Sequence, residues 1–133
     1  MCTKEPLIAI VDDDESIRDA TKGLMRSLGF DAEAFSCGED FLSSARLGET
    51  ACLVADINMP GMSGFDLHRS LLASGKNIPT ILITAHPSEG IRAEGLGAGV
   101  LGYLTKPFAE NDLLHYLRSA LASFCPCQGK RDL

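Results

Sequence analysis

Five side chains able to do chemistry stand at the ends of short apolar runs. Asp12 and Asp13 follow Leu7-Ile-Ala-Ile-Val11, Asp56 follows Ala51-Cys-Leu-Val-Ala55, Thr84 closes Pro79-Thr-Ile-Leu-Ile-Thr84, and Lys106 comes soon after Leu101-Gly-Tyr-Leu104. A carboxylate is a competent nucleophile toward phosphorus, a lysine ammonium can take a phosphoryl oxygen as a point charge, and a threonine hydroxyl can give it a hydrogen bond. Three carboxylates brought together repel unless a cation lies among them. Oxygen-only donors of this kind suit a hard ion, and octahedral Mg2+ with several retained waters fits best, with Mn2+ as a substitute.

These residues meet only if the runs before them are strands of one sheet, pointing the same way. The runs at 7–11, 52–55, 79–84 and 101–104 are continuous apolar segments of strand length, and 30–35 alternates as a second, more exposed strand. Between them lie helical patterns. The first runs from Ser16 with Ile17, Ala20, Leu24, Met25 and Leu28 on one face and Arg18, Asp19, Lys22 and Arg26 on the other, and Gly29 stops it. A short helix around Phe41, Leu42 and Ala45 is expected to open on a capping box of Ser36 and Glu39. Phe65 to Ser74 turns Leu67, Leu71 and Leu72 inward; Pro87 to Gly99 is the weakest helix, carrying Gly90, Gly95, Gly97 and Gly99; and Ala109 to Phe124 is strongly periodic.

Five strands alternating with five helices predict an α/β fold, a doubly wound, flavodoxin-like sheet of five parallel strands in order 2-1-3-4-5 with helices on both faces. Its ligand crevice lies outside the carboxyl ends of the strands, at the switch point between the first and third, where Asp12 and Asp13 face Asp56.

The chain of 133 residues suits one domain, with residues 1–124 folded and 125–133 a flexible tail or linker stub. A net charge of −6 argues against a broad basic surface for nucleic acid or an anionic membrane. No apolar run has the length of a transmembrane helix and the first residues lack a signal-peptide pattern, so a cytoplasmic location is expected. Cys2, Cys37, Cys52, Cys125 and Cys127 read as reduced thiols, Cys52 in the core, and His68, His86 and His115 have no partner at metal-ligand spacing.

Ile10-Val-Asp-Asp-Asp14, Asp56-Ile-Asn-Met-Pro-Gly-Met-Ser-Gly64, Ile83-Thr-Ala85 and Tyr103-Leu-Thr-Lys-Pro-Phe108 together resemble the signature segments of the response-regulator receiver domain of two-component signalling. The likeness spans roughly residues 5 to 124 and is nearest to receivers of nitrogen-fixation-type regulators, which usually precede a helix-turn-helix output domain. It implies Asp56 as the phosphoacceptor, charged from a phosphohistidine on a sensor kinase. It implies Mg2+ held by Asp13, Asp56 and the backbone carbonyl of Asn58, with Asp12 acting through water. Lys106 would hold the phosphoryl group, Thr84 would swing toward it, and Tyr103 would turn inward, switching the face made by the fourth helix, fifth strand and last helix. That face would act on an output domain or partner protein, or pair as a homodimer. The Lys106-Pro107 bond is expected to be cis, as is frequent in this family.

Taken singly, each residue has an ordinary explanation: acidic runs cap helices, a strand-end Asp forms turns, and an aromatic such as Tyr103 packs in a core. Their joint placement is what favours function. A hydrolase with an Asp nucleophile and Mg2+ would share the site, yet such enzymes usually carry a second Asp two residues on, where this chain has Asn58. An amide cannot accept a proton from attacking water, so a stored phosphate is favoured over turnover, and the chain is expected not to be an enzyme in that sense. A phosphorylation-independent interaction module on the same fold is the remaining alternative.

Overall fold

Every residue of β1 (Leu7–Val11) is buried because the strand is covered on both sides, and this is why it reads as an unbroken apolar run rather than an alternating one. In the computed structural model, residues 6–122 are described, except 87, 98 and 107 and the side chains of 92, 95, 96 and 122. After β1 come α1 (Glu15–Ser27), β2 (Asp31–Phe35), α2 (Gly38–Leu42), a 3-10 turn (Leu47–Glu49), β3 (Thr50–Asp56), α3 (Gly64–Ala73), β4 (Thr80–Thr84), α4 (Glu89–Gly97), β5 (Gly102–Thr105) and α5 (Glu110–Ala122).

All strand pairs are parallel and the order is β2-β1-β3-β4-β5, as expected from the sequence. The register sets Ile10 between Ala34 and Val54, and Asp56 beside Ile83. Alternate residues feed two separate cores. Ile8, Ile10, Cys52, Val54, Ile81 and Ile83 pack with Met25 of α1 and with Leu113 and Leu117 of α5. Ala9, Val11, Leu53, Ala55 and Leu82 pack with Phe41, Phe65, Leu67 and Leu71 on the opposite face. β3 extends further than the run 52–55 suggested because it is hydrogen-bonded on both edges, to β1 and to β4.

Several helical details differ from the sequence expectations. In α1 the buried positions are Thr21 and Met25, while Ala20 is exposed and Leu28 is 36% exposed. The apolar stripe is wider than the strip touching the sheet, and its free margin, Ile17, Ala20 and Leu24, lines a groove with Phe108. Leu72 is 47% exposed at the margin of another groove, while the neighbouring Leu71 takes the sheet-facing position. The capping box at Ser36 and Glu39 does not form. Helix α2 starts from Cys37, which makes no side-chain cap bond, and stops at Leu42, short of Ala45. A β-carbon on Gly38 would lie 2.7 Å from the Met62 sulfur, so the first turn of this helix is closely packed where it lacks a side-chain cap. A capping box does form at Ser63 and Asp66, opening α3.

Helix α4 forms despite its glycines, anchored by Ile91 in the second core and by an exposed Arg69–Glu94 pair at 3.6 Å that adds little. On β5, the Tyr116 ring of α5 covers Gly102 so closely that a β-carbon there would sit 2.6 Å from the ring. Phe124, Cys125, Cys127, the tail at 125–133, Cys2 and the Lys106-Pro107 bond lie outside the described residues. No helix among the described residues is long and apolar enough to cross a membrane.

Candidate functional site

The carboxyl edge of the sheet brings together the residues that strand-end logic selected. Asp12 follows β1 directly, Asp56 ends β3, Thr84 ends β4, and Lys106 follows β5. Asp12 is 2% exposed, Asp56 5% and Thr84 0%, whereas Asp13 is open to solvent. Polar groups this deep at a strand end must find partners, some in their own loops and some from other strand ends.

Asp12 holds its own loop. Its Oδ1 accepts from the Asp14 N–H at 2.9 Å, and its backbone carbonyl accepts from Arg18 at 2.7 Å. Asp14 caps α1 by accepting from the Ser16 and Ile17 amides. Arg18, expected on the solvent face, is thus part of the site's scaffold; no motif in the sequence marks it, since only the turn back of α1 over the loop brings it there. Asp56 repeats the pattern, its Oδ1 accepting from the Asn58 N–H at 3.1 Å. The other oxygens of the two carboxylates share one cation. Lys106 Nζ lies 3.0 Å from Asp12 Oδ2 and 3.1 Å from Asp56 Oδ2, and the Lys106 amide donates to the Thr84 carbonyl at 2.8 Å, which fixes the start of its side chain.

The electrostatics follow from burial. Desolvation raises the Asp12 carboxyl above its ordinary range; the Asp14 N–H and Lys106 oppose the rise, and the neighbouring charge of Asp56 adds to it. For Lys106, burial works against the charged form, but hydrogen bonds to Asp12 and Asp56 outweigh it and the ammonium is held above its usual value. A carboxyl raised in the folded state binds more protons there than in the unfolded chain, so stability falls as pH rises from 3.8 upward. Asp12→Asn is therefore expected to stabilise the protein at pH 7 by about 1–2 kcal/mol, read as a higher urea midpoint, with the gain shrinking toward pH 4.

Asp12, Asp13 and Asp56 each offer a carboxylate oxygen within 4.8 Å of the others. Three oxygen donors with no nitrogen or sulfur, one of them solvent-exposed, fit a hard divalent cation that keeps part of its water shell, as Mg2+ does.

The remaining members stand around this cluster. Thr84 Oγ1 donates to Asn58 Oδ1 at 2.6 Å and accepts from the His86 N–H at 3.0 Å. Tyr103 packs against the second core, and its hydroxyl is buried with no hydrogen-bond partner among the described residues. The inward turn expected of this ring on modification thus starts from a hydroxyl that is already buried. Sequence reasoning passed over Gly64 as a simple turn residue. A β-carbon there would lie 2.8 Å from the Asp56 carbonyl oxygen, so only glycine lets α3 begin this near the carboxylate's own backbone. The signal was the Ser63-Gly64 pair immediately before an apolar helix.

A family model described as the response regulator receiver domain matches residues 8–118. This chain belongs to that family. Receiver domains are modules of two-component systems, in which they work with histidine kinases and output domains, and this family normally uses Mg2+. The receiver is 39% identical to the response regulator protein TmoT of Ectopseudomonas mendocina over 121 residues, covering 91% of this chain and 55% of TmoT. Among solved structures it is similar to the response regulator StyR, with a TM-score of 0.84 and 38% identity, covering 96% of this chain and 65% of StyR. It is also similar to FixJ-N, with a TM-score of 0.81 and 30% identity, covering 92% of this chain and 98% of that one. The chain spans about half the length of the curated relatives it matches.

Proposed function

We propose that this receiver takes a phosphoryl group from the phosphohistidine of a sensor histidine kinase onto Asp56, and that the modified site switches the face made by α4, β5 and α5. The observation that carries the reading is the Asp56 carboxylate, buried at a strand end, sharing Lys106 with Asp12 and lying close to the carboxylates of both Asp12 and Asp13.

In the transfer, an Asp56 oxygen attacks phosphorus, the P–N bond breaks, and its electron pair returns to the imidazole of the kinase. An acyl phosphate results. Lys106 is placed to move its hydrogen bond from a carboxylate to a phosphoryl oxygen, meeting charge where charge arrives. Asp13, Asp56 and the Asn58 carbonyl would hold Mg2+, with Asp12 acting through water, and the ion would supply charge that offsets the repulsion between an anionic attacker and an anionic phosphoryl group. Thr84 turns its hydroxyl to the new oxygens, and Tyr103, on the neighbouring strand, transmits the change toward α4. The acyl phosphate carries about −1.5 to −2 charges where the carboxylate carried one, in a crevice that already concentrates negative charge, so donors must reorient.

Two residues beyond the acceptor, where a hydrolase with an Asp nucleophile usually carries the Asp that deprotonates water, this chain has the amide of Asn58. The phosphate persists as a signal, and the receiver promotes its own modification without being a turnover enzyme. Because the curated relatives are nearly twice as long, we assign the output to a further domain or partner protein, acting on transcription in the cytoplasm. Contact with nucleic acid belongs to that partner, and a phosphorylation-dependent homodimer through the α4-β5-α5 face is part of the same reading.

Incubation with acetyl phosphate and Mg2+ tests it by intact-mass spectrometry. One phosphoryl group is expected, located on the peptide carrying Asp56, absent without Mg2+ and absent in Asp56→Asn. No mass gain in the wild type would favour the passive module, and rapid multiple turnover of a phosphate monoester would favour the hydrolase.

A further inference from the structure

The one proton of the Thr84 hydroxyl is committed before any phosphoryl group arrives. A threonine hydroxyl has one proton to give and can accept through its lone pairs. Here the proton goes to Asn58 Oδ1 at 2.6 Å, and a lone pair takes the His86 N–H at 3.0 Å. To donate to an oxygen on Asp56, the hydroxyl must first leave Asn58. Thr84 is fully buried, so it has no water to turn to on the way.

Asn58 is itself held in place by backbone contacts. Its N–H is bound to Asp56 Oδ1 at 3.1 Å, and the preceding residue, Ile57, donates to the Ile83 carbonyl of β4 at 2.8 Å and accepts from Gly64 at 3.3 Å. The amide side chain is thus presented to Thr84 from a segment tied both to the acceptor carboxylate and to the strand that carries Thr84. A turn-forming asparagine would need only the backbone part of this arrangement. The 26-residue separation of the two side chains makes their bond a tertiary one.

We propose that the Asn58 side chain is a positioning residue that latches Thr84 in its resting orientation, and so sets how readily the site takes up a phosphoryl group. The proposal rests on the reading of Asp56 as the phosphoacceptor. On modification, a bond between two neutral groups is exchanged for one to a charged oxygen, and the stronger acceptor wins. Removing the amide frees the hydroxyl in advance and removes the bond that must be broken.

The test is a double-mutant cycle on the 133-residue chain, with beryllofluoride and Mg2+ as the phosphoryl mimic, comparing the wild type, Asn58→Ala, Thr84→Val and the double variant. Asn58→Ala is expected to bind beryllofluoride about threefold to tenfold more tightly, the worth of one ordinary hydrogen bond. In the Thr84→Val background the same change is expected to give no gain. A second reading needs no ligand: the His86 amide proton, whose acceptor is Thr84 Oγ1, is expected to shift in the NMR spectrum of Asn58→Ala, and Asn58→Ala is expected to leave it unmoved when Thr84 is already valine. Unchanged or weaker binding in Asn58→Ala, or an equal gain in both backgrounds, overturns the latch. If the folded wild type fails to bind beryllofluoride while the His86 shift behaves as stated, the phosphoacceptor reading falls, and with it the effect on uptake, while the hold of Asn58 on the resting Thr84 hydroxyl stands. If the wild type binds and neither readout shows coupling, the latch alone falls.

Discussion

Lys106→Met is expected to lower the unfolding free energy at pH 7 by about 3 kcal/mol, because removing one partner of a buried ionic cluster leaves its charges uncompensated. The ammonium is within 3.1 Å of two carboxylates that are almost wholly buried. Without it, the influences that hold the Asp12 carboxyl down are reduced to the Asp14 N–H, while burial and the Asp56 charge remain. The Asp12 carboxyl therefore rises further in the folded variant. A raised carboxyl costs stability in full above its folded value, and the cost disappears below 3.8, where both states are protonated. The deficit of Lys106→Met should thus narrow as pH falls from 7 toward 4, which urea titrations at several pH values would read. Adding Asp56→Asn to Lys106→Met removes half of the uncompensated charge and should recover much of the loss; failure to recover would mean that packing of the lysine stem, rather than its charge, matters. Phosphoryl uptake in Lys106→Met is expected to slow on the order of 100-fold, the usual consequence of deleting one donor aimed at a developing charge.

Gly64→Ala has the second large effect, and it works through the backbone. The added β-carbon would lie 2.8 Å from the Asp56 carbonyl oxygen, 3.2 Å from its carbonyl carbon and 3.1 Å from Leu82. The first two are main-chain atoms of a strand hydrogen-bonded on both sides, so the start of α3 must move instead. Overpacking of this kind costs about 1–3 kcal/mol. The same movement displaces the turn from Ile57 to Ser63, whose Asn58 amide orients the Asp56 carboxylate. Small misplacements of reacting groups are expensive, and phosphoryl uptake should fall roughly tenfold to 100-fold. Gly23→Ala is the control. Gly23 lies inside α1, where an added β-carbon would meet nothing within 4 Å, so alanine there should add up to about 1 kcal/mol from helix propensity and leave uptake unchanged. Equal losses at both glycines would refute the packing argument.

What the linear chain determined was the architecture and the membership of the site. Continuous apolar runs separated by amphipathic stretches leave little choice but a parallel sheet covered on both faces, and parallel strands carry their terminal residues to one edge. Asp12, Asp56, Thr84 and Lys106 could therefore be named together before any distance was known. The helix ends were less legible where packing overrode local signals. Ser36 and Glu39 have capping spacing, yet α2 starts from Cys37 without a side-chain cap and with Gly38 close against Met62, and the apolar side chains of Leu28 and Leu72 remain exposed.

Tertiary structure alone decided how the site is wired. Spacing along the chain says which residues share an edge, because the period of a strand and the hand of a crossover are local properties. It says nothing of which oxygen meets which proton, since that depends on strand register, on the tilt of α1 and on the path of the turn after β3. The division of Lys106 between two carboxylates and the bond from Thr84 to Asn58 join residues whose closeness exists only once β1, β3, β4 and β5 lie side by side, while the Arg18 bond to the Asp12 carbonyl and the approach of Gly64 to Asp56 depend on how α1 and α3 turn back over the strands before them.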